Sequence, residues 1–221
     1  MKILALDTAT EACSAAIIVD SEISEKSLIA PRRHAELILS MIDELLNESG
    51  VVLSELDAIA FGRGPGAFTG IRITAGIVQG LAYGADLPVI PVSTLAALAQ
   101  GTKVDSEFII SAIDARMSEI YTAIYKINNS GLVIAVSDES VMKANDFSIS
   151  EQGTYYGVGT GWATYHDVMS VKIGQQLIGY SGECYPQSRD ILLLAKREYE
   201  KGNLVKPEDA RPVYIRNKVT S

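Results

Sequence analysis

The sequence predicts an α/β protein with two lobes, the second reduced in its elements, and three features favour this class. Residues 3–19 read as two short apolar strands that meet at Asp7, which is typical of a β-hairpin. Residues 108–125 repeat that pattern around Asp114. Residues 61–83 run from a glycine-rich loop into an apolar, helical segment. Because the same hairpin begins each half of the chain, we interpret the sequence as an internal duplication.

The elements of the first half follow from residue type and spacing. We predict a third antiparallel strand over residues 22–30, because Pro31 cannot continue a strand ladder. A helix is predicted over residues 34–49, with Gly50 just past its C-terminus. Further elements are predicted as strands over residues 58–61 and 87–92 and as a short helix that starts at Ser93 or Thr94 and ends at Ala99.

The second half has shorter and less regular elements. The polar stretch 103–107 separates the halves, so we expect an N-terminal lobe over residues 1–102 and a C-terminal lobe over residues 103–221. After the second hairpin we predict a glycine-rich strand and loop over residues 153–162, a helix over residues 188–201 and a packed terminal segment over residues 207–219.

Composition limits the classes of function. Asp and Glu number 27 against 19 Lys and Arg, a formal net charge of −8, so no general basic field exists to hold a polyanion. Cys13 and Cys184 have no motif around them and are interpreted as small buried hydrophobes. Because the N-terminus lacks the pattern of a signal peptide and no apolar run is long enough to span a membrane, we expect a cytoplasmic protein.

The glycine loop, residues 62–70, has four glycines and a proline in nine positions and leads into a helix. It matches neither nucleotide motif, because Ile71-Arg72 follows Gly70 where a P-loop needs Lys-Ser/Thr, and Thr69 stands where a dinucleotide fingerprint needs a third glycine. Two interpretations stay open with equal weight. The loop is either an anion cradle at a helix N-terminus or a tight turn packed against neighbouring chain.

Two predicted helices have an apolar or glycine-rich face that is more extensive than burial against their own core requires. The apolar arc of helix 34–49 covers about 200°, roughly twice the usual width. On the helix after the glycine loop, glycines recur every fourth residue beside a polar stripe. We predict that the two helices lie side by side and form a partner interface through Leu37, Ile38, Met41, Ile42, Leu45, Arg72, Gly76, Gln79 and Gly80. In the alternative, both faces are buried inside the monomer.

Few residues offer catalytic chemistry. The two histidines, His34 and His166, are far apart in sequence, and we interpret His34 as a surface residue in a first helical turn. No serine or cysteine stands in a nucleophile motif such as Gly-x-Ser-x-Gly. The residues therefore predict no metal site and no self-sufficient active site.

Several segments of the chain carry a resemblance to a known family. A strand-Asp hairpin that opens each of two lobes is the plan of the ribonuclease H-like folds of the actin, hexokinase and Hsp70 superfamily. Within it, the chain resembles the bacterial TsaB (YeaZ) family. The matching segments read MKILALDTATEACS, AFGRGPGAFTGIRI, QGLA, IPVSTL, AIDARMSEIY, GVGTGW and PVYIRN, and they are densest over residues 1–125.

The resemblance implies a role in forming N6-threonylcarbamoyladenosine at position 37 of tRNAs that read codons beginning with A. It implies a non-catalytic subunit that binds TsaD, with the ATPase TsaE as a further partner and a homodimer when the chain is alone. In this setting tRNA is a substrate of the complex only. No cofactor is expected to bind tightly, and ATP is expected only through the complex.

Departures from the catalytic relatives support the non-catalytic interpretation. Where TsaD carries a His-x-x-x-His metal pair, this chain has Thr94 and Leu98. The residues after Asp7 and Asp114 are bulkier than the glycine used by phosphate-binding members, so both aspartates are interpreted mainly as turn-capping residues rather than Mg²⁺ ligands. Candidate nucleotide or anion contacts at a complex boundary are Asp7, Thr8, Gly64, Gly66 and Thr69.

Two other functions stay open on the sequence. A stand-alone nucleotide-dependent phosphotransferase or hydrolase of the same superfamily is the main alternative, because the glycine loop is compatible with it. An independent peptidase, the older description of related proteins, has almost no chemical support in these residues.

Overall fold

The computed structural model describes residues 1–216 and divides into two compact units. Unit 1 comprises residues 1–97 and 186–213, and unit 2 comprises residues 98–185 and, within the described chain, residues 214–216. This division differs from the contiguous lobes expected from the sequence, because a helix from the end of the chain packs on the first sheet. Sequence order alone does not reveal such a return.

Unit 1 contains a five-stranded sheet in the order β3-β2-β1-β4-β5. Strands β1 to β3 are antiparallel, whereas β4 and β5 run parallel to β1. The strands are β1 (Lys2–Asp7), β2 (Ala12–Val19), β3 (Glu22–Ile29), β4 (Ala58–Gly62) and β5 (Val89–Val92). The helices are α1 (His34–Ser49), α2 (Phe68–Ala85), α3 (Thr94–Gln100), which runs into unit 2, and α5 (Ser188–Glu200).

The core of unit 1 forms because β1, β2 and β4 are built from small and β-branched residues that are buried on both faces. Helices α1 and α2 contact each other and pack on the face that includes Leu6 and Cys13. Helix α1 ends at Ser49, and the positive φ of 65° at the following Gly50 terminates the helix as expected from the sequence.

Helix α5 packs on the same sheet and is held there by buried hydroxyl groups. Ser14 alternates along β2 with Cys13 and Ala15, so its side chain points away from the face covered by α1 and α2. The Ser188 hydroxyl donates to the Ser14 carbonyl at 2.8 Å, and the Ser188 amide donates to Ser14 Oγ at 3.0 Å. These bonds place the first turn of α5 on the sheet.

We expect Ser188→Ala to lower the free energy of unfolding by about 1–3 kcal/mol, because the buried Ser14 carbonyl then loses its hydroxyl donor. Chemical denaturation measures the change. Ser40→Ala is the matched control, because Ser40 is exposed and its bond to Glu44 is long, at 3.4 Å. Equal stability of the two variants would contradict the anchoring role.

Unit 2 repeats the strand arrangement of unit 1. Its sheet has the order β11-β10-β6-β7-β8, with β9 paired to β7. The elements are β6 (Phe108–Arg116), β7 (Glu119–Ile127), β8 (Val133–Ala135), β9 (Ser140–Lys143), β10 (Tyr155–Val158), α4 (Thr160–Ile173) and β11 (Leu177–Ser181). Three antiparallel strands followed by two parallel ones thus occur in both units, which confirms the duplicated fold class.

The core of unit 2 is organised around Trp162, which is fully buried and donates from Nε1 to the Ile110 carbonyl at 3.0 Å. Helix α4 corrects the sequence interpretation of this stretch, which had only a strand and loop. The helix buries Trp162, Met169 and Ile173 in the core of unit 2, and its backbone departs from helical geometry at Tyr165, with φ −125° and ψ 17°. Residues 217–219 of the predicted terminal segment lie outside the described chain.

Candidate functional site

The glycine loop joins β4 to α2 and lies directly against the turn of the first hairpin, residues 7–9. The Ala67 amide donates to the Ala9 carbonyl at 2.7 Å. The Thr8 hydroxyl donates to the Gly70 carbonyl at 2.7 Å and lies 2.6 Å from the Thr74 hydroxyl. The hairpin turn is therefore bonded both to the loop and to the first turns of α2.

The glycines are required by this close approach. A Cβ atom on Gly62 would lie 1.8 Å from Asp7 Oδ2, one on Gly66 would lie 2.4 Å from the Ala9 carbonyl oxygen, and one on Gly70 would lie 1.9 Å from the Thr8 carbonyl oxygen. Each distance is far below van der Waals contact. The chain's own hairpin turn thus occupies the space that these glycines leave.

This geometry favours the tight-turn interpretation of the loop over the anion cradle. Among the candidate anion contacts, Asp7 and Thr8 are fully buried and Gly64 is buried, whereas Gly66 is half-buried and Thr69 is exposed. A ligand that approached from solvent would meet Thr69 first. A nucleotide contact at these residues stays a prediction.

Asp7 caps the hairpin turn from inside the protein. Its Oδ1 accepts a hydrogen bond from the Ala9 amide at 2.9 Å, which is the turn-capping contact expected from the sequence. Its Oδ2 is buried and has no hydrogen-bond partner in the described chain. Burial raises the pKa of Asp7 to about 7, and the Ala9 amide only partly opposes that rise.

Asp114 holds the equivalent position in unit 2 and also caps its turn. Its Oδ1 accepts from the Arg116 amide at 2.8 Å and from the Tyr165 hydroxyl at 3.2 Å, and its Oδ2 pairs with the Arg116 guanidinium at 3.1 Å. Glycines again permit the close packing of the strand before the turn. A Cβ atom on Gly159 would lie 2.4 Å from the Ala112 carbonyl oxygen, and one on Gly161 would lie 2.9 Å from Ala112 Cβ.

The residues at the metal-pair positions are part of the packing. Thr94 is fully buried, and its hydroxyl accepts from the Gly64 amide at 3.1 Å, while Leu98 is 2% exposed. Within residues 1–216, no group of three His, Cys, Asp or Glu side chains could hold a metal ion. The geometry assigns these two positions a structural role.

Two sequence interpretations of single residues were wrong. His34 is buried rather than on the surface, and its Nε2 has no hydrogen-bond partner in the described chain, because the first turn of α1 faces β2. Cys184 is only partly buried, whereas Cys13 is buried as expected. Burial and the nearby Asp7 raise the pKa of the Cys13 thiol to about 11, so it is a poor nucleophile.

The predicted partner interface splits into buried and exposed residues. Ile38, Ile42 and Leu45 belong to the core of unit 1, which corrects their assignment to a free surface. Leu37 and Met41 are half-buried against that core, and Gln79 donates to the Ala210 carbonyl at 3.0 Å. The wide apolar arc of α1 is thus largely used inside the unit.

The exposed α2 face consists of Phe68, Arg72, Gly76, Gly80, Tyr83 and Gly84. A Cβ atom on any of its three glycines would meet nothing within 4 Å, and Tyr83 is 80% exposed beside them. The Arg72 guanidinium lies 3.4 Å from the centre of the Phe68 ring. Sequence reasoning left Phe68 out of the interface, although its four-residue spacing from Arg72 was a usable signal.

Comparisons with known proteins define the class. The family model described as TsaD: tRNA N6-adenosine threonylcarbamoyltransferase matches residues 19–201. Together with the duplicated fold, this match makes the chain a TsaD-like protein. No helix in the described part of the chain is long and apolar enough to cross a membrane.

Closer relatives carry a more particular name. The tRNA threonylcarbamoyladenosine biosynthesis protein TsaB of Escherichia coli (strain K12) is 42% identical, over 99% of this chain and 96% of the relative. TsaB of Haemophilus influenzae is 40% identical, over 100% and 95%. The solved structure of YeaZ from Pseudomonas aeruginosa is 41% identical with a TM-score of 0.90, covering 96% of this chain and 99% of that one. The chain belongs to the TsaB family.

Proposed function

We propose that this chain is a non-catalytic subunit that binds and activates TsaD in forming threonylcarbamoyladenosine on tRNAs that read codons beginning with A. The general role, in threonylcarbamoyladenosine biosynthesis, follows from the names of full-length relatives in its family. Its partners are TsaD and the ATPase TsaE, and the chain pairs with itself when TsaD is absent. Binding of tRNA belongs to the complex.

One observation carries the non-catalytic part of the proposal. The glycine loop is filled by the chain's own hairpin turn, with Gly62, Gly66 and Gly70 each too close to that turn to leave room even for a methyl group. A phosphate placed against the loop would need the same space. We therefore propose no tightly bound metal or cofactor, and ATP only through the complex.

The exposed α2 face supports the binding part. It combines an aromatic side chain, a guanidinium and glycines that let another helix approach closely. Because TsaD is similar to this chain, a pseudo-twofold pairing of equivalent helices is the natural arrangement for the heterodimer. In that arrangement we place the half-buried Leu37 and Met41 of α1 at the rim of the interface.

A reconstitution experiment tests the function. Purified chain, TsaD, TsaE, threonylcarbamoyl-adenylate, ATP and tRNA are combined, and each protein is omitted in turn while modified nucleoside is measured by mass spectrometry. We expect modification to require this chain and TsaD together. The chain alone, incubated with radiolabelled ATP, is expected to show no turnover. Turnover by the chain alone would instead support the stand-alone phosphotransferase or hydrolase.

A further inference from the structure

Asp7 is a buried carboxyl group where the first hairpin turn meets the glycine loop. Its Oδ1 is satisfied by the Ala9 amide, but its Oδ2 lies against the backbone of Gly62 without a hydrogen-bond partner in the described chain. An ionised carboxylate in such a place loses its hydration without compensation, so the neutral form is favoured. The state of one proton is thus coupled to the packing of the loop on the turn.

The glycine loop and the hairpin turn are closely packed at this position. The loop is bonded to the turn through Ala67 and Ala9 and through Thr8 and Gly70. Backbone atoms of the turn exclude a Cβ atom at Gly66 and Gly70, and the Asp7 carboxyl group excludes one at Gly62. Asp7 is fully buried and its Oδ2 lies against Gly62, so movement of the loop away from the turn exposes this oxygen to water or a cation. An ionised Asp7 therefore gains solvation by opening the loop.

Among the described residues, no charged side chain bonds to Asp7 Oδ2, and the charged residue of the loop itself, Arg63, is partly exposed. Strand β2 contributes Cys13, whose thiol is neutral, and β4 has no ionisable side chain. Helix α2 contributes Arg72 and Tyr83 on its exposed face, and α5 contributes Arg189 and Asp190 in its first turn. The shift in the pKa of Asp7 comes from burial and is opposed only by the Ala9 amide.

We propose that Asp7 is a proton-dependent latch: its neutral carboxyl keeps the glycine loop closed on the hairpin turn, and loss of the proton lets the loop open. The direction of the pH effect on loop opening follows from the difference between the closed and open states in the pKa of Asp7. The closed state keeps its proton up to about pH 7, whereas the open state releases it near the ordinary value of 3.8, so opening increases as the pH rises between them. The latch is a property of unit 1 and does not depend on the proposed partner.

Hydrogen exchange of the full chain tests the latch. After correction for intrinsic rates, we expect the amides of residues 62–71 to open about tenfold or more often at about pH 8.5 than at about pH 5.5. Asp7→Asn keeps an acceptor for the Ala9 amide and has no charge, so its opening is expected to change less than about twofold. A wild type without pH dependence, or an Asp7→Asn variant with the same dependence as wild type, would overturn the proposal.

Two further measurements keep the test decisive. Asp114→Asn is the matched control, because Asp114 caps the equivalent turn of unit 2 but is paired with Arg116, and it is expected to leave the pH dependence of residues 62–71 unchanged. If Asp7→Asn does not fold, carbon-13 NMR of the wild-type carboxyl groups replaces it. An Asp7 carboxyl that titrates below about pH 5 would refute the latch, and one near neutrality supports it.

Discussion

Gly70→Ala is expected to destabilise unit 1 by about 3 kcal/mol, because the new methyl group would lie 1.9 Å from the Thr8 carbonyl oxygen. The clash is with backbone, which cannot rotate away as a side chain could. The hairpin turn or the start of α2 must therefore shift, and the hydrogen bond from Thr8 to Gly70 weakens. Differential scanning calorimetry should show a melting temperature lower by about 6–12 °C.

Gly76→Ala on the same helix is the matched control for this prediction. Gly76 has open space around its Cα atom, so alanine meets no neighbour and improves helix propensity. We expect it to raise the free energy of unfolding by about 0.5–1 kcal/mol. If both alanine variants change stability in the same direction, close packing is not the reason for glycine at position 70.

Gly80→Arg is expected to weaken binding to TsaD by about a hundredfold or more, because it places a long charged side chain in the middle of the exposed α2 face. Its Cα atom faces open space, and arginine favours a helix over glycine, so the monomer should remain folded. The variant thus separates binding from folding. Isothermal titration calorimetry with TsaD measures the affinity, and gel filtration tests whether the proposed homodimer forms.

Val171→Arg provides the control for the added charge. Val171 lies on α4 and is 80% exposed, so the same substitution type there should leave TsaD binding within about threefold of wild type. Binding by Gly80→Arg as tight as by Val171→Arg would show that the interface is elsewhere. Loss of binding in both variants would point to a general effect of charge.

Short-range patterns in the sequence were sufficient for most elements and for the duplication. The hairpins at Asp7 and Asp114, the helix that ends just before Gly50 and the strand before the glycine loop depend on neighbouring residues alone, and the structure contains each of them. Helix α4 was missed because the glycines at its start favoured a loop, although Tyr165, Met169 and Ile173 recur every fourth residue and pack in the core of unit 2.

The roles of particular residues depended on contacts between distant parts of the chain. The sequence identified the glycine loop but left two interpretations equal, because a glycine permits close approach without indicating what approaches. Only the folded chain brings Thr8 and Ala9 against Gly66 and Gly70. In the same way, the width of the apolar face of α1 was evident from the sequence, but its burial against β2 was not.

The sequence by itself determined the fold class and the resemblance to the TsaB family, since both rest on the order of short motifs along the chain. Tertiary structure alone decided that helix α5 returns to unit 1, that His34 is buried, and that Asp7 Oδ2 has no hydrogen-bond partner among residues 1–216. The physical reason is that burial and the pKa of a buried group depend on every segment packed around it, and those segments are far apart in the sequence.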